Sequence, residues 1–306
     1  MSRPRERAPS MPLPPTLRAT PFIGARSEAE GARVVLFGCP FDSTVSFRPG
    51  ARFGPAAIRA VSDVLETYCP VLGRDLEDVV YADVGDLPLP PGDTATALNL
   101  THAMATQVLT AGQMPAALGG EHLLTLPLVR AAAEVFEDLV VVQFDAHFDM
   151  RNQYLGVELS HTTVMRRVSE LLAPSHILQV GQRSGTREEF EKTEFREWYG
   201  PEKPSADDMR RWVGDRSLYV TVDLDVLDPS VCPGTGTPEP GGVDFRTLQN
   251  WLVGLAGCRW VGWDVMELSP HYDSTQISSV VAAKLVRTMI LASTGGADKS
   301  VRVLKQ

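Results

Sequence analysis

The sequence predicts an α/β fold in which a mainly parallel sheet is covered by helices on both faces. Three observations predict it. From Arg33 onward, short apolar runs alternate with longer segments of helical pattern, the order that joins parallel strands through helices. No internal repeat or composition break interrupts the chain after residue 30, and 306 residues are enough for one large core. Two of the apolar runs also end in clustered acidic residues, and ligands of open parallel sheets gather outside the carboxyl ends of strands.

Taken in order, the first twenty-two residues hold six Pro and four Arg and no apolar stretch of the kind a secretory signal needs. Residues 1–30 are therefore expected to form a flexible Pro/Arg-rich arm, and 31–306 the folded domain. Val34 to Gly38 is a short buried strand. Pro55 suits the first turn of a helix that follows a long loop. Further strands are expected at Val79 to Val84, Pro115 to Leu118, Leu139 to Phe144, His176 to Val180, Leu218 to Val222 and Trp260 to Val265. An eighth is expected between Arg183 and Lys203, where the polar sequence does not place it. Helices are expected at Thr94 to Ala111, Leu126 to Val135, Thr162 to Leu172, Phe245 to Gly254 and Gln276 to Ala292.

Composition narrows the function classes. A net charge of −9 and a pI near 5.2 argue against a nucleic-acid surface and mildly favour cationic small molecules as partners. Cys39, Cys69, Cys232 and Cys258 form no C-x-x-C pair, so neither a zinc knuckle nor a disulfide framework is indicated. Reduced thiols and a cytoplasmic location are expected. No apolar run reaches the ~18 residues expected of a membrane span.

The acidic clusters carry the chemistry. After Val140 to Phe144 come Asp145, His147 and Asp149, and after Leu218 to Val222 come Asp223 and Asp225. In an extended chain alternate residues project to one side, so each strand end can deliver its set into one pocket. A single Asp there would be an ordinary helix cap. Several carboxylates at such ends repel one another and call for a cation. A third loop, Gly119-Gly120-Glu121-His122, follows a strand and can bring His122 inward, although alone it would read as a turn with a surface histidine.

These pieces together resemble the agmatinases of the arginase-like ureohydrolase family. The motifs that carry the resemblance are Gly119 to His122, Phe144 to Asp149, Ser160-His161-Thr162, Asp223 to Pro229, Pro233 to Pro238 and Asp264 to Glu267, with Arg48 to Pro55 as a further match. The resemblance implies a single arginase-like three-layer α/β/α domain with an eight-stranded sheet. It implies two Mn²⁺ per subunit. One would take His122, Asp145, Asp149 and Asp223, and the other Asp145, His147, Asp223 and Asp225, with Asp145 and Asp223 bridging. Four carboxylates then balance two divalent ions and leave room for a bridging hydroxide, and oxygen-rich, thiolate-free ligation suits Mn²⁺.

By the same resemblance, that hydroxide attacks the guanidinium carbon of agmatine to give putrescine and urea. Asp149 handles the first proton, His161 exchanges it with solvent, since an imidazole titrates near neutral pH, and Glu267 holds the guanidinium. In the loop between Asp149 and His161, Tyr154, Leu155 and Val157 suit an aliphatic chain and Glu158 could meet a distal ammonium. His102, His176 and His271 match no ligand position. Glu121, Leu123, Phe148 and Thr162 stand where the family more often has Asp, a small polar residue, Thr and Gly. Relatives imply a homo-oligomer, often a hexamer. Other readings are hydrolysis of guanidinobutyrate, guanidinopropionate or guanidine, a single-metal amide hydrolase of the deacetylase kind, and a non-catalytic paralogue.

Overall fold

The computed structural model describes residues 13–17, 19–191, 197–200 and 204–295. Eight strands form one sheet: β1 (Val34–Cys39), β2 (Tyr81–Asp86), β3 (Met114–Gly119), β4 (Val140–Phe144), β5 (Ile177–Val180), β6 (Glu197–Tyr199), β7 (Ser217–Asp223) and β8 (Arg259–Met266). Their spatial order is 2-1-3-8-7-4-5-6, and every pairing is parallel. β6 is the strand that the polar stretch between Arg183 and Lys203 concealed.

The three layers follow from the two-residue period of the strands. In β1, Val34 and Leu36 pack into one apolar core with Ile58, Leu248, Leu252 and Leu285. Val35 and Phe37 point the other way, into a second core with Met104, Val108, Leu128 and Val168. Helices α1 (Gly54–Ala60), α7 (Phe245–Gly254) and α8 (Ile277–Thr294) therefore cover one face, and α2 (Thr94–Thr110), α3 (Thr125–Ala133) and α4 (Val164–Val168) the other. Stacking of Phe144 on Trp251, with ring centroids 5.7 Å apart, ties β4 to α7.

Two short helices, α5 (Arg187–Glu191) and α6 (Ala206–Val213), and a small antiparallel hairpin of Tyr68–Cys69 with Arg74–Asp75 were not expected from the sequence. The helix expected over Thr162 to Leu172 is regular only across α4 and opens with a 3₁₀ turn at His161–Thr163. α8 has the length and apolarity of a membrane span, with 78 % of that window buried inside the protein. Lys284 and Arg287 interrupt it, which is why it did not read as a continuous apolar run. Arg287 is buried and donates to the carbonyls of Glu66 and Tyr68, fastening the segment before and into the hairpin.

Of the arm expected at residues 1–30, positions 1–12 and 18 lie outside the described residues. From Leu13 the chain runs along the edge strand β2. Leu17 exchanges backbone hydrogen bonds with Asp86, Arg26 bridges Ala82, and Phe22 is fully buried. Packed structure thus begins ahead of residue 31, because β2 leaves an edge that a passing segment can satisfy.

Four strands set up the site. β3, β8, β7 and β4 are neighbours, and Leu118 is level with Val265, Met266 with Asp223, and Val222 with Phe144. The loops that leave these four ends are consequently held side by side.

Candidate metal centre and active site

After β3 the chain turns at Gly119-Gly120, where the backbone passes so close to Phe41 that a Cβ on Gly120 would lie 1.9 Å from its carbonyl oxygen. Only glycine fits there. The turn places His122, fully buried, beneath the ends of β4 and β7. His122 Nδ1 is 3.0 Å from Asp145 Oδ2, 3.1 Å from Asp149 Oδ2 and 3.4 Å from Asp223 Oδ2. His147 Nδ1 is 3.0 Å from Asp225 Oδ2 and 3.6 Å from Asp145 Oδ1. Two donor clusters result, His122-Asp145-Asp149 and Asp145-His147-Asp225. Asp145 presents one oxygen to each. Asp223 presents Oδ2 to the first cluster and uses Oδ1 to accept the Asp225 N–H.

The way these side chains converge differs from the expected period-two strand. β4 ends at Phe144, so Asp145 to Asp149 belong to a loop, and Asp149 adopts φ 54°. β7 ends at Asp223 and passes directly into a 3₁₀ turn, Leu224–Val226. A strand would have spread the set along one face, whereas tight turns fold it back onto the sheet end. Glu267, immediately after β8, is also left-handed at φ 68°. Such a conformation in a residue with a side chain costs roughly 1–3 kcal/mol and persists where the surroundings enforce it.

The donor set fits cations. His122 Nε2 lies 2.9 Å from Thr221 Oγ1, whose own proton goes to Asp264, so Nε2 is the donor in that pair. Nδ1 is then the nitrogen that faces the three carboxylates, and once it gives up its proton its lone pair would be turned toward a cation held among them. Burial, followed by the neighbouring carboxylates, pushes Asp149 up to about 7 and Asp223 well above the ordinary carboxylate range. Burial would lower His122 and His147, but the surrounding carboxylates prevail and hold both well above the ordinary histidine value. Burial also opposes ionisation of Asp145, yet contact with the two histidines leaves its pKa lowered. A cluster that retains protons in this way is one whose excess negative charge a divalent ion would neutralise.

His122, His147, Asp149 and Asp223 form the floor of a cavity of about 220 Å³, with Asp145 and Asp225 packed behind them, and its walls include Ser46, Arg151, Tyr154, His161, Glu189, Thr237 and Glu267. Glu267 accepts the His122 N–H at 2.7 Å, and burial raises its carboxyl to about 8. His161 is almost buried, held by Thr44 and Ser46, and pushed down to about 4 by desolvation and by the charges of His147 and His122. It is therefore neutral at pH 7, in contrast to the near-neutral titration expected from the sequence.

The entrance loop follows its expected course only in part. Tyr154 lines the cavity, but Leu155 is 87 % and Val157 48 % exposed, and Glu158 is exposed and off the cavity wall. Tyr154 and Val157 exchange backbone hydrogen bonds, and this tight turn throws Leu155 outward. Several residues the sequence reading passed over belong to the site. Thr44 and Ser46 come from the loop after β1, ahead of the Arg48 to Pro55 motif and without a chemical signature of its own, and Glu189 from the polar stretch that hid β6. Thr237 donates to Asp225 Oδ2, making the expected rigid loop wall a contact of the floor.

Comparison with known proteins matches this geometry. The sequence model of the arginase family covers residues 32–292. The chain belongs to the arginase family. An agmatinase from Bacillus anthracis is 43 % identical over 276 residues, spanning 88 % of this chain and 95 % of that one. Among solved structures, agmatine ureohydrolase of Thermoplasma volcanium superposes with a TM-score of 0.82 at 33 % identity, covering 90 % of this chain and 95 % of the other. Proclavaminate amidinohydrolase from Streptomyces clavuligerus gives 0.83 at 32 % identity, with 90 % and 97 % covered. The arginase-family fold expected from the motifs is the fold observed.

Proposed function

We propose that this arginase-family chain hydrolyses agmatine to putrescine and urea with two Mn²⁺ per subunit. The observation that carries the reading is the pair of histidine–carboxylate clusters that share Asp145 and open, through His122, Asp149 and His147, onto one cavity. His122, Asp145, Asp149 and Asp223 would hold one ion, and Asp145, His147, Asp223 and Asp225 the other. For Asp223 the support is its 3.4 Å approach to His122. The chemistry supplied by a bound pair is a water made acidic enough to attack the guanidinium carbon at neutral pH.

The remaining work falls to this chain's own side chains. Glu267 offers a buried carboxyl, already oriented by the His122 N–H, to the planar guanidinium, whose positive charge would favour the ionised form against burial and so make the charge-assisted pair that fixes the carbon over the clusters. Asp149 takes the proton released on attack and returns it to the departing alkylamine. His161, neutral and facing the cavity, exchanges that proton with solvent. Tyr154 covers the aliphatic stem. The names of the B. anthracis and T. volcanium relatives support agmatine as the substrate. A homohexameric assembly, a cytoplasmic location and a polyamine-forming role complete the proposal.

One observation favours a second substrate. Arg151 lies on the cavity wall with its guanidinium 5.4 Å from the Tyr154 ring centre. A cation there would suit the carboxylate of guanidinobutyrate better than the ammonium of agmatine. Urea release from agmatine, arginine, guanidinobutyrate, guanidinopropionate and guanidine, measured after manganese loading and alongside metal content, separates the readings. Agmatine is expected to exceed arginine in kcat/KM by well over about tenfold, since an unmatched buried charge costs more than ~1.4 kcal/mol. Faster turnover of guanidinobutyrate would replace the substrate and leave the chemistry standing, whereas one metal per fully active chain would remove the two-ion site.

A further inference from the structure

We infer that Thr44, anchored by Glu121, is a positioning residue that fixes His161 as the tautomer with its proton on Nδ1, leaving Nε2 as the base that faces Ser46 and the cavity. The inference deepens the reading of His161 as the proton carrier and rests on it.

The geometry follows from counting hydrogens. Glu121 is fully buried at the turn after β3, and its carboxylate grips Thr44 twice: the Thr44 N–H donates to Oε2 at 2.7 Å and the Thr44 hydroxyl donates to Oε1 at 2.8 Å. A threonine hydroxyl has one proton and two lone pairs. With Glu121 ionised, the form that accepts from both the Thr44 N–H and the Thr44 hydroxyl, that proton is committed to Glu121, so toward every other neighbour Thr44 Oγ1 is an acceptor. One of those neighbours is the His161 N–H at 3.0 Å, and the other is His161 Nδ1 at 3.2 Å. An imidazole nitrogen facing an acceptor must carry the hydrogen, and in a neutral ring that leaves the other nitrogen bare. Nε2 is 3.2 Å from Ser46 Oγ, which lines the cavity, and Ser46 donates to it.

Every element of the relay has a fixed place. Ser160 and Thr163 close a capping box around the 3₁₀ turn that begins at His161. Glu121 is fastened through its backbone N–H to the carbonyl of Phe41. One carboxylate therefore joins the loop holding Thr44 and Ser46 to the turn that delivers His122, and through Thr44 it orients the ring that moves protons above that turn. Thr44 and Ser46 sit in a loop whose sequence carries no sign of this role.

The test is a neutron diffraction map of the manganese-loaded wild-type protein exchanged into D₂O, together with kinetics of two variants. The expected map shows a deuteron on His161 Nδ1 and none on Nε2. Thr44→Val, which removes the hydroxyl at constant shape, is expected to lower kcat by roughly 10- to 100-fold, part of the range a misoriented acid–base group loses, while KM and metal content hold. Thr44→Ser, which keeps the hydroxyl, is expected to recover kcat to within about threefold. A deuteron on Nε2 in the wild type, or undiminished kcat in folded Thr44→Val, overturns the inference. The wild-type map decides even if Thr44→Val does not fold. Full activity in His161→Ala would instead refute the proton-carrier reading and leave the tautomer result intact.

Discussion

The floor of the cavity and its entrance loop present opposite kinds of structure. On the floor and directly behind it, His122, Asp145, Asp223 and Asp225 are at most 4 % exposed, set at the ends of adjacent strands and pinned by backbone hydrogen bonds from neighbouring turns. At the entrance, residues 155–159 are all exposed, and the turn from Tyr154 to Val157 is closed by two hydrogen bonds to itself. The sheet fixes the first region, because moving one of these side chains means moving a strand end. Little but local turn chemistry fixes the second. Reaction type and substrate range are therefore specified by separate parts of the chain, and each can be perturbed alone.

The largest effect is expected from breaking the floor at its shared member. Asp145→Asn should remove metal and activity together, by more than the roughly 10–100-fold that loss of an outer partner costs. Asp225→Asn, which faces one histidine, should retain more metal. Asp223→Asn sharpens the comparison, since bridging predicts losses like those of Asp145→Asn and single-cluster contact predicts losses like those of Asp225→Asn. Metal content per chain, read with urea release, distinguishes them, and equal metal loss in all three would count against any bridging member.

Next in size is His161→Ala. It should keep both metals and lower kcat by roughly 10²–10⁴-fold, the usual contribution of a positioned acid–base group. Retention of full activity across the pH range would remove His161 from the mechanism. Because burial and nearby positive charge hold its pKa near 4, loss of activity on acidification above about pH 5 should come from the floor and not from this ring.

That division explains what the sequence disclosed. The alternation of apolar runs with helical segments marked seven strands because most of the runs are buried on both faces, and the acidic residues after Phe144 and Val222 marked the candidate site because few folds tolerate such clusters. The mechanism of convergence was less legible. Asp149 and Glu267 reach inward through left-handed backbone, a conformation no residue pattern announces. β6 was hidden because it is only three residues long, Glu197 to Tyr199, within a stretch of charged residues. Thr44, Ser46 and Glu189 were invisible because hydroxyls and carboxylates in loops have no period, and their partners are distant in sequence.

Metal uptake should depend on pH with a defined sign. Without ions, Asp149 titrates near 7, raised by burial and Asp145, and both cluster histidines are raised well above their ordinary value. These protons must leave before metal enters, so apparent Mn²⁺ affinity should rise with pH through about 6 to 8, by up to about tenfold per unit for each proton released. Calorimetric titration in buffers of differing ionisation enthalpy measures the protons directly. Affinity flat over that interval would show that the carboxylates do not hold protons in the apo protein.

A smaller effect belongs to the entrance. Arg151→Ala should shift the agmatine to guanidinobutyrate ratio of kcat/KM toward agmatine by roughly threefold to fivefold, the scale of a partly exposed charge pair. Metal content should not change. A shift in kcat alone, equal for both substrates, would instead place Arg151 with the floor.

The smallest effect is expected at Glu158 and Leu155, and it tests whether the loop beyond Tyr154 takes part in recognition at all. Both were natural candidates for the substrate tail on sequence grounds. In the structure, the backbone carbonyl of Glu158 accepts the Thr163 hydroxyl while the residue itself is exposed, and Leu155 stands 87 % exposed at φ 49°. A carboxylate in that position is screened by water and salt over distances beyond about 8–10 Å, so Glu158→Gln should leave agmatine kcat/KM within about twofold of wild type. Leu155→Asn replaces an exposed apolar side chain with one that accepts left-handed backbone more readily, and stability should stay within about 0.5 kcal/mol or rise slightly. A rise in KM of about tenfold or more in Glu158→Gln, equivalent to ~1.4 kcal/mol, would mean that the loop folds over the substrate when it binds, and the entrance would then be as much a part of the chemistry as the floor.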